Sequence, residues 1–447
     1  MKNKLLLVSF LSLICLPAFF IPNTIDVEIN LYPQDFSGVL RKGKETKEPS
    51  FLDLFEEVRD EFTSFRIDFL EVNLQEMQVR FYEDGFVKKE VPINKKGDPQ
   101  DWGGTSVGIY QVGFKSRDAF SAVAEVYMPY SIRLYGKYYL HGEPYYPDGA
   151  LLVSEASGGC VQLTNENAKS IYELAQSGMP ILVIDKLRDN YPYSQEKPSE
   201  FPEVSTPNYL VSDLDSGFIF AEKDSQMQLP MASLTKLMTA VVVSENIDLR
   251  KTILVREEML DAYGDTTGLE AGKRFGIVEL FYPLLIESSN DAAEALSYYL
   301  GRERTIRLMN EKAKAILMRQ TNFIDPSGYD PQNISTAQDI FYLTRYVLNN
   351  RPPLFKITRG EKVGSFKDVT FNLQNLWNKN LFAYDPTFVG GKTGFIKNSK
   401  YTGVFIFKMS AQDGKERNIA IILLGSDNLE SDTQRIYKWL QENYFKQ

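Results

Sequence analysis

A chain of 447 residues with 43% hydrophobic and 24% charged residues is long enough for two or three compact units and is not a disordered polymer. Fifty Lys and Arg against 59 Asp and Glu leave a net charge of −9, which excludes a surface built to neutralise the phosphates of nucleic acid. Two cysteines and one histidine exclude a disulfide framework, a zinc ribbon and any multi-histidine metal site, so neither a metal nor a cofactor is expected.

Met1 to Lys4 are basic and Leu5 to Pro22 almost unbroken apolar, the pattern of an export leader. Residues 1–22 are expected to act as a signal peptide or, with about 18 apolar-rich positions, as an N-terminal membrane anchor. Either role puts the rest of the chain on the periplasmic or cell-wall side of the cytoplasmic membrane. Cys15 falls inside this leader, so Cys160 is the only cysteine beyond it. Residues 23–66, with a charged tract at Arg41 to Pro49 and a short helical pattern from Phe51 to Phe65, read as a solvated stem.

Alternation begins at Ile67 to Leu74 and Gln78 to Tyr82, and a turn at Asp84-Gly85 leads to Phe86 to Ile93. This β-rich domain, 67–185, is expected to close with a helix from Asn165 to Gln176, stopped by Gly178, and a strand Ile181 to Ile184. Residues 186–206 carry Pro192, Pro198 and Pro202 among polar residues and read as a linker. The domain at 207–447 opens with a hairpin, Tyr209 to Leu214 and Phe218 to Ala221, followed by a helix. Leu234, Leu237, Met238, Val241 and Val242 give that helix one apolar stripe. Further helices run to about Asn349. Two strands, Gly403 to Met409 and Ile419 to Leu424, and a helix from about Asp432 to Phe445 complete the chain, which predicts an α/β fold with an antiparallel sheet flanked by helices. No amphipathic tail follows, so membrane attachment is expected from the leader.

Ser233-Leu234-Thr235-Lys236 sets a hydroxyl and an amine three residues apart at a helix start, where such side chains are neighbours. A serine needs a base to become a nucleophile, and a lysine serves once desolvation or nearby positive charge lowers its pKa. Ser288-Ser289-Asn290 precedes the next helix, and Lys392-Thr393-Gly394 comes before the terminal strands. Together these are the S-x-x-K, S-x-N and K-T-G set of penicillin-interacting serine enzymes.

The surrounding segments MASLTKLMTA, LLIESSNDAAEAL, TNFIDPSGYD, STAQDI and GGKTGF resemble the D-alanyl-D-alanine carboxypeptidases, the low-molecular-mass penicillin-binding proteins, whose fold is that of the serine β-lactamases. The resemblance implies Ser233 as acylated nucleophile, Lys236 as base, and Ser288 and Asn290 as proton relay and substrate contact. It implies further that Lys392 and Thr393 hold the substrate carboxylate. Gly394 completes that motif, and the amides of Ser233 and Phe395 are implied as the oxyanion hole. The hydroxyl of Ser233 is expected to meet the amines of both Lys236 and Lys392 in one cleft. Ile396 departs from the threonine common in the family, and no E-x-x-L-N string of class A β-lactamases lies between Asn290 and Lys392.

The single histidine, His141, and Cys160 lie in the segment HGEPYYPDGALLVSEASGGCVQL. An imidazole beside a thiol is a nucleophile and base pair, and the Ser157-Gly158-Gly159-Cys160 turn lets backbone amides approach a reacting carbonyl. Residues 67–185 resemble the L,D-transpeptidase catalytic domain. That resemblance implies Cys160 as nucleophile, His141 as its partner, and Ser157, Gly159 and the position of Gln162 as substrate-binding. Gly158 stands where histidine is common, and Gln162 replaces an arginine.

The expected function is a two-centre modifier of peptidoglycan stem peptides. Ser233 removes the terminal D-alanine of a pentapeptide, and Cys160 uses the tetrapeptide as acyl donor. β-Lactams are the expected covalent inhibitors. The alternative is a carboxypeptidase whose first domain is a non-catalytic wall-binding module.

Overall fold

The computed structural model describes residues 54–154, 157–185, 191–193, 198–260, 268–364 and 373–445. The leader with Cys15, most of the stem and parts of the linker lie outside the described residues. Ser50–Gln447 forms one compact unit. Among the described residues no helix is long and apolar enough to cross a membrane.

The first part runs α1 (Leu54–Ser64), β1 (Phe69–Asn73), β2 (Gln78–Glu83), β3 (Phe86–Pro92) and β4 (Gly108–Gln111). It continues through β5 (Lys115–Ser121), β6 (Val126–Tyr135), β7 (Tyr138–His141), β8 (Val161–Gln162), α2 (Asn165–Leu174) and β9 (Pro180–Ile184). One sheet has the order β3-β2-β1-β9-β4 and a second the order β5-β6-β7-β8. β1, central between β2 and a parallel β9, is buried at every residue, and its one charged residue, Glu71, accepts from Arg80 and Tyr82. Thr164 starts α2 by accepting from the Asn167 amide at 3.2 Å.

The second part holds β10 (Asn208–Asp213), β11 (Ile219–Lys223), β12 (Leu229–Pro230), α3 (Thr235–Asn246), β13 (Thr252–Leu254), β14 (Arg274–Gly276) and α4 (Ile277–Tyr282). After them come α5 (Asn290–Leu300), α6 (Arg302–Ala315), β15 (Ile334–Ser335), α7 (Ala337–Asn350), α8 (Pro352–Thr358), β16 (Phe388–Ile396), β17 (Lys400–Ser410), β18 (Glu416–Ser426) and α9 (Leu429–Asn443). The main sheet is antiparallel with the order β11-β10-β18-β17-β16. Its two-residue period sorts the core. Ile419, Ile421 and Leu423 of β18 pack with Ile436, Trp439 and Leu440 of α9, whereas Ala420, Ile422 and Leu424 join the helices on the other face.

Three expectations change on folding. Helix α3 is buried from Thr235 to Glu245 rather than along one stripe, because it runs through the centre of the helical layer. The end of the supposed solvated stem is α1, whose Val58 belongs to a buried cluster with Phe69, Tyr82 and Leu182. The linker also packs: Tyr193 is buried among Val211, Phe220 and Trp439, and its hydroxyl donates to Asp213 at 2.8 Å. The two parts share one hydrophobic core that runs from Leu70 and Val72 to Leu237, Phe281 and Leu343.

Candidate active sites

Ser233 sits in a 3-10 turn, Ala232–Leu234, immediately before α3, so its side chain lies at the mouth of a buried helix. Lys236, one turn on, is fully buried; its Nζ lies 2.9 Å from Ser233 Oγ and donates to Asn290 Oδ1 at 2.7 Å and the Ser327 carbonyl at 2.6 Å. Ser288 takes a left-handed φ of 63°, and Ser289 then caps α5 by accepting from the Ala292 amide at 3.0 Å. That turn aims Ser288 and Asn290 at two different lysines. Lys392 is fully buried in β16 and donates to Ser288 Oγ at 2.9 Å and the Thr393 carbonyl at 2.8 Å.

The three motifs therefore converge, with one difference from expectation. The direct partner of Ser233 Oγ is Lys236, and Lys392 reaches the site through Ser288. Burial pulls Lys392 well below the ordinary ammonium range, and the charges of Lys236 and Lys379 add to the effect. β16 is an edge strand of the sheet, and its Gly394 lies against the serine turn: a Cβ there would stand 2.7 Å from Ser233 N. Any side chain at that position would push the strand off the turn. Phe395 is exposed beside Tyr401, with ring centroids 4.7 Å apart.

Two contributors escaped the sequence reading. Ser327 offers its carbonyl to Lys236 from a loop organised by Asp325, which accepts from the Ser327 amide at 2.7 Å, the Ser327 hydroxyl at 2.8 Å and the Asp330 amide at 2.9 Å. Burial alone would raise the Asp325 pKa, but these bonds outweigh it and hold the carboxyl below its usual range. Lys379 is exposed, and its carbonyl accepts from Thr393 Oγ1 at 3.0 Å. A lone carbonyl and a lone loop lysine leave no motif to recognise.

The second centre lies where β7 and β8 run parallel, with Leu140 opposite Val161 and His141 opposite Gln162. This register puts Cys160 and Gln162 on the face that carries Tyr139 and His141. Cys160 is reduced and partly exposed, and its Sγ accepts from the Tyr139 amide at 3.4 Å. Gly158 and Gly159 have φ of 64° and 111°, and a Cβ at Gly159 would overlap the Tyr138 ring. Ser157 Oγ donates to the Cys160 carbonyl and closes the turn. Gln162 is buried, and its carbonyl accepts from the Asn94 amide at 2.8 Å.

His141 is buried and donates Nδ1–H to the Gly142 carbonyl at 2.6 Å, which leaves Nε2 as the basic nitrogen. The sulfur and the ring share a face without a hydrogen bond between them. Burial pushes the Cys160 thiol up to about 11, against the opposing effects of the Tyr139 amide and Lys137. Burial also pulls His141 down to about 4, against its bond to Gly142. At neutral pH both shifts favour thiol and imidazole over thiolate and imidazolium.

This has a measurable consequence for stability. An unfolded histidine titrates near 6.5, so stability from neutral His141 is present above that pH and is lost as pH falls through about 4, by up to about 3 kcal/mol. Urea midpoints should drop between pH 6.5 and 4, and His141→Asn should flatten that part of the curve. An unchanged acid slope in the variant counts against a buried neutral ring.

Comparison with known proteins finds a family match over each of the two parts. Residues 194–427, just over half of the chain, match the D-alanyl-D-alanine carboxypeptidase family, and residues 67–183 match the L,D-transpeptidase catalytic domain. The D-alanyl-D-alanine endopeptidase of Haemophilus influenzae is 34% identical over 227 residues, covering 49% of this chain and 75% of that protein. DacB2, a D-alanyl-D-alanine carboxypeptidase of Mycobacterium tuberculosis, is 28% identical over 228 residues, covering 50% of this chain and 76% of that protein. DacD of Escherichia coli, a D-alanyl-D-alanine carboxypeptidase, is 27% identical over 277 residues, covering 57% of this chain and 67% of that protein. With S-x-x-K, S-x-N and K-T-G gathered together, the chain belongs to the D-alanyl-D-alanine carboxypeptidase family and carries an L,D-transpeptidase catalytic domain ahead of it.

Proposed function

We propose that the chain is a serine D,D-carboxypeptidase that trims stem pentapeptides and passes the tetrapeptide to an L,D-transpeptidase centre on Cys160. The observation that carries this reading is the buried Lys236 amine 2.9 Å from Ser233 Oγ, steered by Asn290 and the Ser327 carbonyl. As the free amine, Lys236 takes the hydroxyl proton while Ser233 Oγ attacks the carbonyl of the penultimate D-alanine. Collapse of the tetrahedral adduct breaks the peptide bond, and the proton goes to the leaving D-alanine amine. Ser288, bonded to Lys392, is the neighbouring hydroxyl that can relay it. Water then hydrolyses the ester on Ser233. β16 is the edge strand of its sheet, the position at which a peptide can be added as a further strand. A β-lactam would acylate the same hydroxyl.

At the first centre, Nε2 of neutral His141 is the base for the Cys160 thiol, and proton transfer accompanies attack on the tetrapeptide carbonyl. The leader would carry both centres across the membrane and hold them at its outer face, so the protein should resist an alkaline carbonate wash of membranes.

Incubation with purified pentapeptide muropeptides tests the reading. Wild type should release D-alanine and form transfer products, Cys160→Ala should release D-alanine only, and Ser233→Ala should do neither from pentapeptide. Cleavage confined to cross-linked dimers would align the serine centre with the endopeptidase relative instead.

A second reading, a first domain that only binds wall material, is favoured by the protonated thiol and the missing bond between sulfur and imidazole. Intact-mass analysis after carbapenem treatment separates the two. An adduct abolished by Cys160→Ala supports an enzyme, and its absence supports the binding module.

A further inference from the structure

The turn that carries Cys160 rests on a residue from the carboxypeptidase part. Arg351, just past α7, is fully buried. Its Nη2 donates to Tyr138 Oη at 2.8 Å and pairs with Glu245 Oε1 at 2.8 Å. Its Nη1 donates to the Gly104 carbonyl at 2.7 Å and to the Asn350 carbonyl. Both routes end at the same glycine. The Tyr138 ring occupies the space that a Gly159 side chain would need, and the Gly103 carbonyl lies 3.1 Å from that position. The next residue along the strand, Tyr139, gives its amide to the Cys160 sulfur.

The surroundings argue for a fixed support. Gly136, Gly108 and Gly104 of the first part each lie against a carbonyl at a helix end of the second: Glu245 of α3, Ala315 of α6 and Asn350 of α7. Any side chain at these glycines would separate the two parts. At the first of these contacts Lys137 donates to the Ser244 carbonyl at 2.8 Å and the Ile247 carbonyl at 3.1 Å, a cation on a helix C-terminus. Among the described residues, the charged groups by the sulfur are Lys137, on the lead into its neighbouring strand, and the Arg351–Glu245 pair behind Tyr138. His141 shares its face.

We infer that Arg351 is a positioning residue of the Cys160 centre, acting through the Tyr138 hydroxyl and the Gly103–Gly104 backbone. The inference rests on Cys160 being the nucleophile of its domain. Arg351 itself touches no substrate. It pins the ring under Gly159, so that the turn holds the sulfur against the Tyr139 amide and limits its access to water. A guanidinium suits this task because its planar fork serves two directions at once, which a lysine ammonium does not do with fixed geometry.

Tyr138→Phe in the full-length protein removes one oxygen and keeps the ring. Alkylation of Cys160 by iodoacetamide, followed by peptide mapping between pH 7 and 11.5, should show the midpoint lowered by about one unit, because an unpinned ring admits water to a sulfur whose elevation comes from burial. One unit raises the thiolate fraction tenfold at pH 8, and the lower nucleophilicity of the weaker base takes part of this back, for a net gain of about threefold in rate. L,D-transfer should fall while D-alanine release at Ser233 stays within about twofold. Arg351→Met, if it keeps Ser233 activity, should move the midpoint further in the same direction.

A Tyr138→Phe profile that superimposes on wild type overturns the inference, as does an equal loss of both activities. If wild type transfers nothing while the alkylation midpoint still moves, positioning by Arg351 stands and the nucleophile reading fails.

Discussion

Ser233→Ala should lower D-alanine release from pentapeptide by about 10⁴-fold or more while leaving the urea midpoint nearly unchanged. The magnitude follows from the geometry. Ser233 Oγ is the hydroxyl that Lys236 reaches, and Ser288, the other hydroxyl in the cleft, is bonded to Lys392. Among the described residues no second nucleophile is bonded to Lys236 in the same way. Nucleophile and base act as one unit, so Lys236→Met should cost nearly as much, and the double variant little more than either alone. Release assays on the two single variants and the double variant check this. Multiplicative losses would mean that the two residues serve separate steps, and residual activity within tenfold of wild type would remove Ser233 from the reaction.

The second large effect concerns the fold. Glu245 is fully buried and paired with Lys312 at 3.1 Å and Arg351 at 2.8 Å, and the Tyr346 hydroxyl also donates to it. Lys312 in turn donates at 2.8 Å to Ser106, Tyr110 and Tyr346. Burial alone would raise the Glu245 pKa, but the two cations outweigh it and hold the carboxyl below its usual range. Glu245→Ala leaves two buried cations without their counter-charge, a change that costs about 3–5 kcal/mol. A urea titration should show that loss in a single transition, because the cluster ties residues of both domains. A midpoint within about 0.5 kcal/mol of wild type would mean that water or a rearranged side chain compensates the cations.

The chemistry of the serine centre was legible because its parts are short and local. S-x-x-K needs only a helix start, and the Ser288–Asn290 turn only a cap. The direct partner of Lys392 was not legible, because one left-handed residue, Ser288, decides which lysine its hydroxyl faces. The cluster joining the domains left no trace either. Glu245, Lys312 and Arg351 stand at or near helix ends, where charged residues ordinarily meet solvent, and only tertiary packing turns them inward. The proline-rich 186–206 segment reads as an extended linker by composition, yet the apolar area of Tyr193 and Phe201 decides the outcome for its described residues. Cys160 and His141 were found by their rarity, and rarity carries no information on whether sulfur and ring touch.

Helix α3 begins beside Ser233 and ends against Gly136 and Lys137, and its twelve residues span about 18 Å. Its burial at both ends makes it a ruler, not a leash. On the proposed two-centre function a trimmed stem crosses a gap that this packed helix sets, so lengthening the 186–206 segment away from its packed residues Tyr193 and Phe201 should leave the handover unchanged.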